Sequence, residues 1–151
     1  MTDRADFVEG FALRLAESGM QRMAARAFAL LLTAPEGGLT AREIGEQLHV
    51  SAGAVSGATS YLTRTALIER RRVPGERSDR FDVQGTTWAE AIATETATVS
   101  ALRDWLARGM TAVDDPAAQR RLGETHDFFA FLVRELPRLI DRWHAERGAR
   151  A

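Results

Sequence analysis

The sequence predicts a mostly α-helical fold with one small β-hairpin, and three observations predict it. Apolar residues recur at helical spacing toward both ends of the chain. Two Thr-x-x-Glu capping boxes, Thr40 to Glu43 and Thr87 to Glu90, mark helix starts. The apolar period becomes strand-like between Leu67 and Val83, around the turn at Pro74-Gly75.

The first helix is expected from about Asp3 to Ser18, with Phe7, Val8, Phe11 and Leu15 at helical spacing and Gly19 as its break. A second spans about Met20 to Thr33. It turns Met23, Ala27, Leu30 and Leu31 inward and ends before Pro35 and the Gly37–Gly38 pair. The Thr40 box opens a short helix to Leu48, with Ile44 and Leu48 inward. Ser51 is a good N-cap for the next helix, to about Thr65, whose buried stripe is Val55, Ala58 and Leu62.

Leu67 to Val73 and Arg80 to Val83 form two short strands joined by a hairpin tip at 74–79. The Thr87 box starts a long helix to about Met110, with Trp88, Ile92, Glu95, Val99, Leu102 and Leu106 on one side. Asp115-Pro116 pairs an N-cap with Pro at the first helical position. That last helix runs to about Leu136. Pro137 lacks a backbone donor and predicts a kink or a new start before the pattern resumes through Leu139, Ile140 and Trp143.

Composition narrows the function classes. With 45% hydrophobic residues, the 151-residue chain can bury a core. It has no cysteine, which excludes disulfides and thiolate chemistry. No basic segment followed by an apolar run opens the chain, and no stretch approaches the ~18 apolar residues of a membrane span, so a soluble cytoplasmic protein is expected. The net charge is −1, so nucleic-acid binding would need a local basic patch. All 20 basic residues are arginine, which GC-rich codon usage also produces; arginine content alone therefore argues little.

Two short helices joined by a tight turn and followed by a hairpin make a winged helix-turn-helix, over residues 20–84, between helical segments at 1–19 and 85–151. Gly45 is small where the second helix of the pair crosses the first, and Val55 packs over it. His49 stands at a turn position where many such motifs have Gly. The second helix carries two glycines, each costing roughly 1 kcal/mol relative to Ala. Its outward face is expected to hold Ala52, Gly53, Ser56, Gly57, Thr59, Ser60 and Thr63. Small residues let a helix backbone approach base edges. Hydroxyls reach bases or phosphates, and methyls meet thymine methyls. The helix start at Ser51 favours a phosphate, and Thr40 at the preceding helix start joins the DNA-facing set. A close helix–helix contact would also use small residues, but the opposite face already holds the packing residues.

The wing supplies the charge. From Arg64 to Arg80, six arginines face Glu69, Glu76 and Asp79, a local charge of +3. Arg64, Arg72, Arg77 and Arg80 are the candidate DNA contacts. Arg77 on the hairpin tip is placed for the minor groove, whose negative potential attracts arginine.

The segment from Leu39 to Phe81 resembles the DNA-binding core of the MarR superfamily, and more closely its GbsR-like branch. The resemblance lies in Leu48, Ser51, Val55, Ser56 and Leu62, in Leu67-Ile68-Glu69, and in the wing Pro74-Gly75-Glu76-Arg77; Gly19-Met20 through Arg26 resembles that branch's second helix. It implies a homodimeric transcriptional regulator, usually a repressor, that reads a pseudo-palindromic operator in double-stranded DNA. It also implies terminal helices that form the dimer interface, and release by a small-molecule effector. Phe7, Phe11, Leu136, Leu139, Ile140 and Trp143 are the expected interface residues. Trp88, Trp105, Phe128 and Phe129, with Phe131 beside them, are candidates for an apolar effector pocket. Aromatics at helical spacing serve more often in a core or interface.

An enzyme is not expected. His49, His126 and His144 lack the i,i+4 partners of a helical metal site, and no phosphate loop, dinucleotide fingerprint or nucleophile elbow is present. No cofactor is implied. The contrasting reading is a winged-helix protein–protein adaptor that has lost DNA binding. An adaptor has no reason to keep both Arg77 on the tip and a bare recognition face.

Overall fold

In a computed structural model of the chain, which describes residues 3–150, the elements follow the order helix, helix, strand, helix, helix, hairpin, helix, helix. Helix makes up 71% of the fold, with a three-stranded antiparallel sheet. The chain divides into two units between Trp88 and Ala89.

The first unit holds α1 (Arg4–Glu17), α2 (Arg22–Leu32), β1 (Leu39–Thr40), α3 (Ala41–Leu48), α4 (Ala52–Arg64), β2 (Glu69–Arg71) and β3 (Arg80–Asp82). Asp3 caps α1 by accepting from the Asp6 N–H at 2.8 Å. Val8, Ala12 and Leu15 turn inward, while Phe7 is 41% exposed and stacks on Phe11 at 5.5 Å. α2 is the hub: Ala24, Ala25, Ala27, Phe28, Ala29, Leu30 and Leu31 are all buried. Phe28, absent from the inward residues expected for this helix, is fully buried and meets Trp88 edge-on at 5.4 Å.

The Thr40 capping box forms as its pattern requires. Thr40 Oγ1 accepts from the Glu43 N–H at 3.2 Å, and Glu43 accepts from the Thr40 N–H at 2.7 Å. α3 ends at His49, which takes the left-handed conformation (φ 55°, ψ 48°) that Gly adopts without strain. A Cβ on Gly45 would lie 3.3 Å from the Val50 carbonyl oxygen and 3.5 Å from Val55 Cγ2, so the α3–α4 crossing needs a small residue there.

The sheet has the order β1-β3-β2. β1, a two-residue strand the apolar period did not reveal, pairs with β3 through Leu39–Phe81 and Thr40–Arg80. β2 pairs with β3 through Glu69–Asp82, Arg70–Phe81 and Arg71–Arg80. Both hairpin strands are shorter than expected; ahead of β2, Leu67 and Ile68 are buried core residues outside the sheet.

α5 (Thr87–Ala112) begins in the first unit, and α6 (Pro116–Gly148) lies in the second. Thr87 is itself the first helical residue of α5, so a cap there is one residue too late. Asp115 caps α6 through the Ala118 N–H at 2.8 Å, with Pro116 in the first turn as expected. α6 then continues through Pro137 to Gly148, so the new start expected there does not occur. Within this unit Gly109 faces Leu122 and Gly123 faces Met110, where a Cβ would make ordinary contact. No helix among the described residues is long and apolar enough to cross a membrane.

Candidate nucleic-acid interface

Val55, Ala58 and Leu62 anchor α4 in the core, which fixes the opposite side toward solvent. Ser51, Ala52, Gly53, Ser56, Gly57, Ser60, Thr63 and Arg64 are all exposed on α4 or at its start. Ser51 Oγ accepts from the Ala54 N–H at 3.2 Å, so its hydroxyl also closes the first turn. The hydroxyls of Ser56 and Ser60 make no hydrogen bond among the described residues; that of Thr63 donates to the Thr59 carbonyl at 2.7 Å. A Cβ on Gly57 would meet nothing within 4 Å.

Thr59 corrects the expected face. It is 5% exposed, and its hydroxyl donates to the Val55 carbonyl at 2.9 Å. Its position four residues after Val55 puts it on the buried stripe. Thr40 is half-buried and its hydroxyl is held by the capping box, so it serves α3 before any ligand.

The wing arginines divide by partner. Arg70 and Arg72, on the same side of the strand by its two-residue period, both reach Asp79, at 2.8 and 3.0 Å. The hydrogen bond from Arg72, helped by Arg70, holds the Asp79 carboxyl below its ordinary value. Arg71 points the other way, to Asp82 at 3.0 Å. Arg77 is exposed and has no carboxylate partner among the described residues. Arg64 lies over the Tyr61 ring at 5.6 Å and is exposed.

Arg80 is the second correction. Its side chain is only 26% exposed, and it binds Glu76 at 2.8 Å and the Gly38 carbonyl at 3.1 Å. Its charge and its donors are spent inside the module, so it is not an open contact. Glu76 lies only four residues away on the hairpin, but the Gly38 and Glu43 partners flank the unpredicted β1, so the strand period could not reveal the full set.

Together these groups form an open cleft of about 670 Å³ between the start of α4, α3 and the wing, lined by Ala52, Ser56, Arg70, Arg72, Arg77 and Asp79 among others. Arg70 was missed as a member, although the two-residue alternation that places Arg72 here places it too. Two arginines sharing one aspartate, with Arg77 unpaired among the described residues, leave the open side positive in a chain of net charge −1, and Arg64 stands exposed at the other end of α4. A bare helix face beside exposed guanidinium groups can take a polyanion and read the edges of its bases.

The other expected residues lie elsewhere. In the first unit, exposed Phe7 stacks on half-buried Phe11 on α1. In the second, α6 buries none of its residues among those described, leaving Leu139 51% and Trp143 47% exposed. Leu136 and Ile140 are half-buried. Of the pocket candidates, Trp88 packs on Phe28 in the first unit. Trp105 is 67% exposed under the Arg108 guanidinium, and Phe128 is 58% exposed beside Phe129, so neither Trp105 nor Phe128 is enclosed in the single chain. No group of His, Cys, Asp or Glu among the described residues could hold a metal.

Residues 18–77 match the family model of the MarR family. Residues 86–146 match a second, described as the MmpR5-like MarR family transcriptional regulator. A crystal structure of a transcriptional regulator superposes with a TM-score of 0.87 at 24% identity, covering 95% of this chain and 99% of that one, which shows a shared fold. The S. aureus MepR–DNA complex is more distant, with a TM-score of 0.45 at 14% identity over 83% of this chain and 90% of that one. No curated protein matches the chain.

Proposed function

We infer that the chain, whose residues 18–77 and 86–146 match models of the MarR family of transcriptional regulators, is a sequence-specific DNA-binding repressor acting as a homodimer on a pseudo-palindromic operator. One observation carries the reading: the outer face of α4 is exposed and bare from Ala52 to Thr63, and across the cleft from its start stands Arg77 without a carboxylate partner. The face suits the major groove, and Arg77 the adjacent minor groove. Ser51, Ser56, Ser60, Thr63, Arg64 and Arg72 supply the further contacts. Regulators of this family are not enzymes.

Residues 20–84 are the DNA-binding part in this reading, and 1–19 with 85–151 the dimerising part. The support is the apolar surface: Phe7, Trp105, Phe128, Phe131, Leu139 and Trp143 are each at least 41% exposed in the single chain. Soluble monomers rarely leave so much large apolar surface open. A dimer also serves the chemistry, because two recognition helices about 34 Å apart reach successive major grooves. The exposure of Trp105 and Phe128 supports a role in subunit contact ahead of one in an effector pocket. The finer placement we propose is the GbsR-like branch, on Leu48, Ser51, Val55 and Ser56 and on the wing Pro74 to Arg77.

Selection of binding sites from a random duplex library, at two salt concentrations, tests the reading. The expected result is an enriched inverted repeat, with half-sites about one helical turn apart and affinity falling with salt. A folded dimer that enriches nothing contradicts it and favours the adaptor.

A further inference from the structure

Arg80 is the most heavily engaged side chain of the wing. Its Nε donates to both Glu76 carboxylate oxygens, at 3.1 and 2.8 Å. Its Nη1 donates to the Gly38 carbonyl at 3.1 Å and lies 3.6 Å from Glu43 Oε2. That Glu43 oxygen also accepts the Thr40 N–H at the start of α3. One guanidinium thus joins three places: the wing tip beside Arg77, the turn before β1, and the cap of the first helix of the helix-turn-helix. Glu76, its nearest partner, adjoins Arg77 in the chain. Without this junction the wing would rest on the two-residue pairing of β1 with β3, the three-residue pairing of β2 with β3 and the ion pairs of Asp79 and Asp82, and so small a sheet sets the posture of its tip loosely. A planar fork of donors suits three acceptors at fixed angles, and a lysine ammonium does not reproduce it.

We propose that Arg80 is a positioning residue, which locks the wing to the start of α3 through Glu76, Gly38 and Glu43 and so presents Arg77 in one posture. The proposal rests on the DNA-binding reading for its consequence, though not for the lock itself.

The sign of one substitution separates positioning from simple charge. Glu76→Gln removes a negative charge beside the tip, which on charge alone tightens DNA binding. If Glu76 and Arg80 hold the wing, the same change weakens it. The test has two arms. In free protein, backbone amides of residues 75–79 are followed by hydrogen exchange in wild type, Glu76→Gln and Arg80→Gln. Faster exchange confined to the wing is expected in both variants, and unchanged rates overturn the proposal. On the selected duplex, each variant is expected to lose about fivefold in affinity. Arg80→Lys is expected not to restore it, and Arg77→Ala combined with Arg80→Gln to bind no worse than Arg77→Ala alone. Tighter binding by Glu76→Gln, or fully additive losses in the double variant, overturns it. A wild-type protein that binds no duplex while the variants still loosen the wing leaves the lock in place and removes the DNA-binding reading instead.

Discussion

Gly38 runs so close to Phe81 that a Cβ on Gly38 would overlap the Phe81 carbonyl oxygen, and Gly38 itself has φ +73°. Both facts demand glycine at the entry to β1, where the wing joins the helical module. Gly38→Ala is therefore expected to lower the unfolding free energy by about 2 kcal/mol or more, as left-handed strain adds to the clash. Urea unfolding measures it, and a change within a few tenths of wild type contradicts the close approach.

His49 holds a left-handed conformation at the turn between α3 and α4. Its strain there is roughly 1–2 kcal/mol. Glycine removes the strain but gives back roughly 0.5–1 kcal/mol in unfolded-chain entropy. His49→Gly is expected to raise stability by about 0.5–1 kcal/mol. A loss of stability in thermal or urea unfolding would mean that the imidazole makes a compensating contact.

Asp79 is held below its ordinary carboxylate value chiefly by the hydrogen bond from Arg72, with Arg70 adding to it. A lowered folded value means that the link is fully present above the unfolded value, near 3.8, and is lost as pH falls through the folded one. In a carboxyl NMR titration, Asp79 is expected to protonate at lower pH than a free aspartate. Arg72→Gln is expected to move that titration upward. An unmoved Asp79 in the variant would show that Arg72 is not its main partner.

Arg77 is the exposed arginine of the hairpin tip without a carboxylate partner among the described residues. Arg77→Ala is expected to weaken duplex binding and to reduce the salt slope by about one phosphate contact, with dimerisation by sedimentation unchanged. Equal affinity and slope in the variant would remove the tip from the interface.

Much of this was legible in the sequence where local chemistry decides. The Thr40–Glu43 box, the caps at Ser51 and Asp115, and the stripe of Val55, Ala58 and Leu62 appear as their patterns require. What was not legible depends on chain segments distant in sequence. β1 has two residues and no period of its own, so its pairing with β3 was invisible. The Gly38 and Glu43 partners of Arg80 were hidden with it, and although Glu76 stands only four residues away, a structural arginine looked like a DNA contact. Thr59 is different, because its place on the buried stripe could have been read from the helical period. Its hydroxyl suggested a polar face, but a threonine can return that hydroxyl to its own helix. The missing donor of Pro137 suggested a kink or a new start; the apolar spacing continued past it, and α6 runs on without a new start.

The most direct test uses Gly57, which is exposed and where an added Cβ would meet nothing within 4 Å. Gly57→Leu should strengthen α4 by roughly 0.5–1 kcal/mol, because leucine is the better helix former. The same side chain would stand between the helix and the base edges. Stability and affinity for the selected duplex are measured together. The account predicts that stability rises while affinity falls at least about tenfold, a loss of about 1.4 kcal/mol. Higher stability with unchanged affinity would contradict it, because the bare face of α4 would then not be the surface that reads DNA.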